Sequence, residues 1–132
     1  MLSAPGSITA DRLQLREVDE PVPGPGEIAI DVAACGVCRT DLQLVEGDLP
    51  ARRLPIVPGH QVVGRVSALG DGVDRWQLGD RVGVAWLAGA CGDCARCRAG
   101  DENLCDLAEF TGWDRDGGYA EAMLARADFA FS

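Results

Sequence analysis

Apolar residues in this chain alternate with polar ones, or run together, only over short stretches, and that pattern favours strands over long helices. Residues 13–18 and 27–34 both carry a strand pattern. Between them lies Glu20-Pro21-Val22-Pro23-Gly24-Pro25-Gly26, where proline removes backbone donors and fixes φ, so a hairpin-like connection is expected. Residues 39–45 change to helical spacing and stop at Gly47, which predicts a short helix starting just after Cys38. Residues 61–69 and 80–86 are rich in β-branched side chains and are bounded by Gly-Asp pairs, the marks of two further strands. From 87 to 106 periodicity disappears, leaving a loop held by something other than an apolar core. The strand pattern resumes at 119–124 and 129–131, and no repeat or interior linker divides the chain.

Composition sharpens the fold class. The 132 residues, 47% of them hydrophobic, suffice for one compact domain with its own core but not for two, so residues 1–132 are expected to form a single unit. Seventeen glycines and seven prolines against three Trp, one Tyr and three Phe imply many turns between short strands, a mostly β protein. With a net charge of -9 and scattered basic residues, no surface is left for nucleic acid to bind. The most apolar window, 82–91, falls far short of the roughly 20 residues that cross a membrane. The first ten residues do not combine a basic flank with an apolar run as a secretory signal does, so the expected location is the cytoplasm. There, six cysteines in one small domain serve better as metal ligands or catalytic thiols than as disulfides.

Their spacing separates two groups. Cys91, Cys94, Cys97 and Cys105 lie within fifteen residues with no histidine among them. Four thiolates match the tetrahedral preference of zinc, and a site filled by four protein atoms is closed to substrate, hence structural. Arg96 and Arg98 stand beside this cluster and offset its net negative charge. Two disulfides or free thiols are the bland alternative. The second group is Cys35-Gly36-Val37-Cys38-Arg39-Thr40-Asp41 together with Pro58-Gly59-His60-Gln61. Taken alone, Cys35-x-x-Cys38 before a helix also suits a thioredoxin-like redox pair. That reading leaves His60, the one histidine, and the four-cysteine loop unexplained.

The segments Gly36-Val37-Cys38-Arg39-Thr40-Asp41, Pro58-Gly59-His60, Gly79-Asp80-Arg81-Val82, the cysteine quartet and Gly117-Gly118-Tyr119-Ala120-Glu121 occur in an order and spacing that resembles the zinc-dependent medium-chain alcohol dehydrogenases. The resemblance covers nearly the whole chain. It implies a GroES-like, partly open β-barrel with short helices and a zinc lobe at about residues 88–108. It also implies that Cys38 and His60 are ligands of a catalytic zinc, and that Thr40 relays the alcohol proton. Asp41 resembles the carboxylate that orients the ligand histidine, with an exposed helix-start aspartate as the alternative. Arg39 resembles a contact to the pyrophosphate of NAD or NADP, with a solvated surface arginine as the alternative. Trp86 and Trp113 look like the aromatics that narrow a pocket for a small alcohol or aldehyde, or else they fill the core. Cys35 is not a ligand in this pattern and is expected to be a small buried residue at a strand end.

Three departures qualify the resemblance. Gln61 follows His60 where glutamate is common, Gln43 stands where some relatives place a relay histidine, and the third catalytic-zinc ligand is not in the chain. The nucleotide-binding domain is absent too: Gly24-Pro25-Gly26-Glu27-Ile28-Ala29 matches G-x-G-x-x-A only superficially, because a strand rather than a helix follows it. The expected function is thus the catalytic-domain portion of an alcohol dehydrogenase, with a homo-oligomer open to the intact enzyme. A non-catalytic, zinc-stabilised module is the main alternative, and a zinc-free quinone reductase a weaker one because it has no use for the two cysteine groups.

Overall fold

The computed structural model describes residues 1–7 and 11–132. Among the described residues, seven strands and two α-helices carry the fold: β1 (Glu27–Cys35), α1 (Arg39–Glu46), β2 (Val62–Leu69), β3 (Arg81–Val84), β4 (Leu87–Gly89), α2 (Ala95–Arg98), β5 (Glu109–Phe110), β6 (Ala122–Arg126) and β7 (Ala130–Phe131). Five strands form one antiparallel sheet in the order β6-β1-β2-β3-β7. The sheet curls into a half-barrel, and no ladder joins its outer strands, so the barrel is partly open. Strand β1 lies inside the sheet between β6 and β2, and its Ile28, Ala29 and Ile30 are all buried, which demands cover on both faces.

The main core lies against this sheet, where Ile28, Ile30, Val66 and Val82 pack around Trp76. Trp76 is 5% exposed, and its indole N–H donates to the Ala127 carbonyl at 2.9 Å. A second cluster joins Leu2 near the N-terminus to Leu44 and Val45 of α1 and to Ile56. The third holds only Ala90, Cys97 and Cys105 as buried members. So little apolar surface cannot order the lobe between β4 and β5, which needs another source of cohesion.

Most expected elements form, with informative shifts. Residues 13–18 are not a strand. Leu13 makes one isolated bridge, to Leu2, while Leu15 and Val18 stay exposed. The prolines at 21, 23 and 25 cannot donate to a ladder, so the chain does not fold back as a hairpin and the stretch has no partner to bury its apolar face. What connects instead is a turn, with the Glu27 N–H donating to the Gly24 carbonyl at 3.0 Å. Helix α1 ends at Gly47, whose φ of 93° is the left-handed value glycine takes readily. Strand β6 starts three residues later than residue 119 because Gly117, Gly118 and Tyr119 donate their N–H groups to the carbonyls of Val57, Gly59 and Pro58. Residues 127–129 form a 3₁₀ turn, so the last strand begins at Ala130. Residues 87–106 are more ordered than a loop: β4 pairs with β5 through Leu87↔Phe110 and Gly89↔Glu109, and this two-stranded neck closes the lobe.

Trp76→Phe removes the indole N–H along with the five-membered part of the ring, leaves the buried Ala127 carbonyl unpaired, and should cost at least about 1–3 kcal/mol of stability. A urea-unfolding midpoint equal to the wild type's would show that this hydrogen bond does not hold the 3₁₀ turn to the core.

Candidate metal centres

In the lobe, the Sγ atoms of Cys91, Cys94, Cys97 and Cys105 all lie within 4.8 Å of one another. Cys91 and Cys97 are separated by 3.8 Å and Cys94 and Cys97 by 3.5 Å. Zinc–thiolate bonds of about 2.3 Å in a tetrahedron give a sulfur–sulfur edge of about 3.8 Å, so the donor set and its size both fit zinc. Local backbone prepares the thiolates. The Cys94 N–H points at Cys91 Sγ at 3.4 Å, and the Cys97 N–H at Cys94 Sγ at the same distance. The N–H groups of Cys94 and Asp93 lower the Cys91 pKa to about 6, whereas burial and the neighbouring thiols push Cys97 up to about 12. Arg96 and Arg98 stand on α2 on either side of Cys97. All six cysteines are free, so no disulfide competes with metal.

The second centre is built on a buried carboxylate. Asp41 is 4% exposed and lies in the first turn of α1, which excludes the reading of an exposed helix-start aspartate. Its Oδ2 accepts the Cys38 N–H at 2.8 Å, and its Oδ1 accepts the Gly59 N–H at 3.2 Å. His60 Nδ1 stands 3.3 Å from the same Oδ1. With its Nδ1 proton on Asp41, the imidazole leaves the Nε2 lone pair free, and Nε2 is 3.1 Å from Cys38 Sγ. Cys38, Asp41 and His60 offer three ligand atoms within 4.8 Å. A thiolate and an imidazole nitrogen are both good zinc donors, and their separation is close to one edge of a zinc tetrahedron.

Backbone geometry places His60. Gly59 has φ of 97°, and a Cβ there would stand 2.7 Å from the Tyr119 ring and 2.8 Å from Cys35 Sγ. Gly117 packs closer still, since a Cβ would meet the Gly59 carbonyl oxygen at 2.0 Å. These glycines let residues 57–59 and 117–119 lie side by side. The Tyr119 hydroxyl oxygen is buried without a hydrogen-bond partner, and burial and the nearby Asp41 carboxylate raise its pKa.

An aromatic wall stands over His60. Trp86 meets the imidazole edge-on at 4.8 Å and stacks on Phe110 at 4.9 Å and on Trp113 at 5.8 Å. All three rings are half-buried, so none simply fills the core. Thr111 pins the wall, its N–H donating to the Trp86 carbonyl and its hydroxyl to that of Ala85. From outside, the Arg52 guanidinium lies 3.9 Å over the Trp113 ring and pairs with Asp114 at 3.1 Å. Arg53 pairs with Asp116, which also accepts the Val57 N–H at 2.9 Å. Sequence reasoning missed Phe110, Arg52 and the Asp114/Asp116 pair. The signal is an Arg-Arg doublet matched by two aspartates some sixty residues away, which no local window connects.

Other candidates stand apart. Thr40 is half-buried in the first turn of α1, next to Cys38 and Asp41. Arg39 is exposed, with Asp48 3.9 Å away. Cys35 ends β1 as expected but is half-buried rather than buried, with Gly59 and Gly118 packed close to its sulfur. Gln61 is exposed, and the Gly24–Ala29 segment forms the turn into β1 rather than a helix start.

Cys105→Ser should release the lobe's metal, because three thiolates lose both the charge match and the closed tetrahedron. Metal content after mild chelation, with limited proteolysis between Gly92 and Asp106, measures this. Full retention of metal together with unchanged protease resistance would count against a four-thiolate site.

Comparison with known proteins agrees with this layout. The family model described as "Alcohol dehydrogenase GroES-like domain" matches residues 24–132. The chain is 49% identical over 118 residues to an alcohol dehydrogenase of Moraxella sp. (strain TAE123), and 46% identical over 118 residues to one of Geobacillus stearothermophilus. Each alignment covers 89% of this chain and 35% of the relative, so the chain spans about a third of these proteins' length. Among solved structures, a cobalt- and zinc-bound thermostable alcohol dehydrogenase from Pyrobaculum aerophilum superposes with a TM-score of 0.90 at 34% identity, over 99% of this chain and 39% of that one. CAD from Helicobacter pylori complexed with NADP(H) does so with a TM-score of 0.76 at 27% identity, over 83% of this chain and 34% of that one. By a family model spanning most of its length, on the fold and the clustered cysteines described above, the chain belongs to the alcohol dehydrogenase GroES-like domain family.

Proposed function

We propose that these residues are the catalytic-domain portion of a zinc-dependent alcohol dehydrogenase, which oxidises a small alcohol, or reduces the aldehyde or ketone, by hydride exchange with NAD or NADP. The observation that carries the reading is the Cys38 Sγ to His60 Nε2 approach of 3.1 Å, backed by Asp41 on the far side of the imidazole. A closed quartet elsewhere in the chain leaves this pair free for chemistry. When bound, zinc would polarise the alcohol oxygen and favour the alkoxide near neutral pH. Cys38 and His60 would hold it, and the third protein ligand would come from outside these 132 residues.

The chain's own groups then have separate tasks. Asp41 fixes the His60 tautomer and orientation. Thr40, two residues after Cys38, takes the alcohol proton on its hydroxyl and passes it outward, with Gln43 in place of a further relay histidine. Trp86 and Trp113, joined by Phe110, wall the space over His60 and exclude water from the reacting carbon. Arg39 is exposed and offers a planar guanidinium to the cofactor pyrophosphate. Oxidation removes one hydride to the nicotinamide and one proton through Thr40, which balances the reaction. A nucleotide-binding domain beyond these residues positions the cofactor, so the 132-residue chain alone is expected to be inactive. Six free thiols suit a reducing cytoplasm, and no helix among the described residues is long and apolar enough to cross a membrane.

In the intact enzyme, Thr40→Val should lower turnover by about 10²-fold or more while leaving metal content and cofactor binding in place. Wild-type turnover in that variant would mean Thr40 only begins the helix. Trp86→Ala should shift selectivity toward bulkier alcohols by opening the space over His60. Flat selectivity combined with a sharp loss of stability would assign Trp86 to the core instead.

A further inference from the structure

A cavity of about 260 Å³ borders Asp41, and His60 is not part of its lining. Its polar lining is Asp11, Arg12, Asp41 and Tyr119, with Val37 and Leu42 among the apolar walls. Two buried side-chain atoms of the described residues lack a hydrogen-bond partner, Arg12 Nε and the Tyr119 hydroxyl oxygen, and both residues border this cavity. An unpaired polar group in such surroundings costs about 1–3 kcal/mol, so two in one place call for a shared partner.

Counting lone pairs identifies what they share. An ionised carboxylate offers about four acceptor positions. Oδ1 of Asp41 uses both of its own on the Gly59 N–H and on His60 Nδ1, whereas Oδ2 accepts the Cys38 N–H, and the Tyr119 hydroxyl stands close enough to interact with the carboxylate without direct hydrogen-bond geometry. One acceptor position therefore remains on a carboxylate that borders the same cavity as two donors, Arg12 Nε–H and the Tyr119 O–H. A water that accepts from both and donates to Oδ2 satisfies all three groups at once. The cavity is large enough, and three polar partners are what a buried water ordinarily has.

We propose that Tyr119 is a positioning residue for the Cys38–His60 metal site, acting with Arg12 through one water bound to Asp41. The inference rests on the metal-site reading above. Tyr119 and Arg12 touch neither metal nor substrate. They complete the hydrogen bonding of the carboxylate that sets the His60 ring, so the imidazole meets the metal in one orientation. The Tyr119 ring also packs on Gly59, which makes the hydroxyl and the ring separable by mutation.

Tyr119→Phe keeps the ring and removes only the hydroxyl. In the intact protein carrying these residues, cobalt(II) exchanged into the Cys38–His60 site is followed by its thiolate charge-transfer band, and its affinity by competition with a chelator. The variant should bind cobalt about 10-fold more weakly, the usual effect of removing a partner one shell out from the ligands, while the four-cysteine site keeps its zinc. Equal affinity and an unchanged band in the variant would overturn the role of Tyr119 alone. No thiolate band in the wild type would overturn the metal site and the inference with it. If the variant loses the four-cysteine zinc as well and so has not folded, a high-resolution crystal structure of the wild-type protein decides. A water within hydrogen-bond distance of Tyr119 Oη, Arg12 Nε and Asp41 Oδ2 supports the proposal, and a cavity without it refutes it.

Discussion

The burial of the Asp41 carboxylate is the constraint on which the rest of the site depends. A charge taken out of water costs several kcal/mol unless hydrogen bonds replace the lost hydration. Asp41 meets that requirement with donors from three places: the start of α1, the glycine before His60, and the His60 ring itself. Each donor is thereby fixed relative to the others. The helix start, the 57–60 segment and the imidazole become one rigid body, although 18 residues of sequence separate Asp41 from Gly59. The same bonds that offset desolvation leave Nε2 facing Cys38, so folding energetics and site chemistry use one set of contacts.

The two cysteine centres solve different physical problems. The quartet occupies a lobe with hardly any core, and four convergent sulfurs are the one feature there able to replace packing. The Cys38–His60 centre sits where the sheet, α1 and the 117–119 segment meet, and packing together with the Asp41 hydrogen bonds holds its ligands in place. The neck between β4 and β5 joins the two regions, because Phe110 pairs with Leu87 in the neck and also stacks on Trp86 over His60. The order of the lobe therefore bears on the shape of the wall.

Local rules read from the sequence succeed where the determinant is local. Glycine after Glu46 ends α1, β-branched runs give β2 and β3, and the spacing of Cys91, Cys94, Cys97 and Cys105 yields four sulfurs in one cluster. Pattern reading fails where an element needs a distant partner. Residues 13–18 alternate like a strand, but no ladder receives them, and β6 begins late because residues 117–119 are taken up by Val57, Pro58 and Gly59. Within the site, the motif residues Cys38, Asp41 and His60 come together as their resemblance implied. By contrast Phe110, Arg52 and the orphaned hydroxyl of Tyr119 acquire significance only through tertiary neighbours. Burial and free lone pairs are properties of an arrangement, and no window of residues encodes them by itself.

The long sequence separations in this arrangement also set an order of assembly. The cysteine lobe closes within fifteen residues, so its loop-closure entropy is small and it can form as soon as those residues leave the ribosome. The contacts between Arg52 and Asp114 and between Val57 and Asp116 span 62 and 59 residues. Contacts of such high order form slowly and late. During synthesis, the segment that ends in His60 emerges long before residues 116–119, which hold it in place. Asp41 and His60 gain their full set of neighbours only when residues 116–119 dock on residues 57–59, whereas the cysteine lobe needs nothing beyond the β4–β5 neck. The two candidate metal centres thus differ in how much of the chain each needs before its ligands meet.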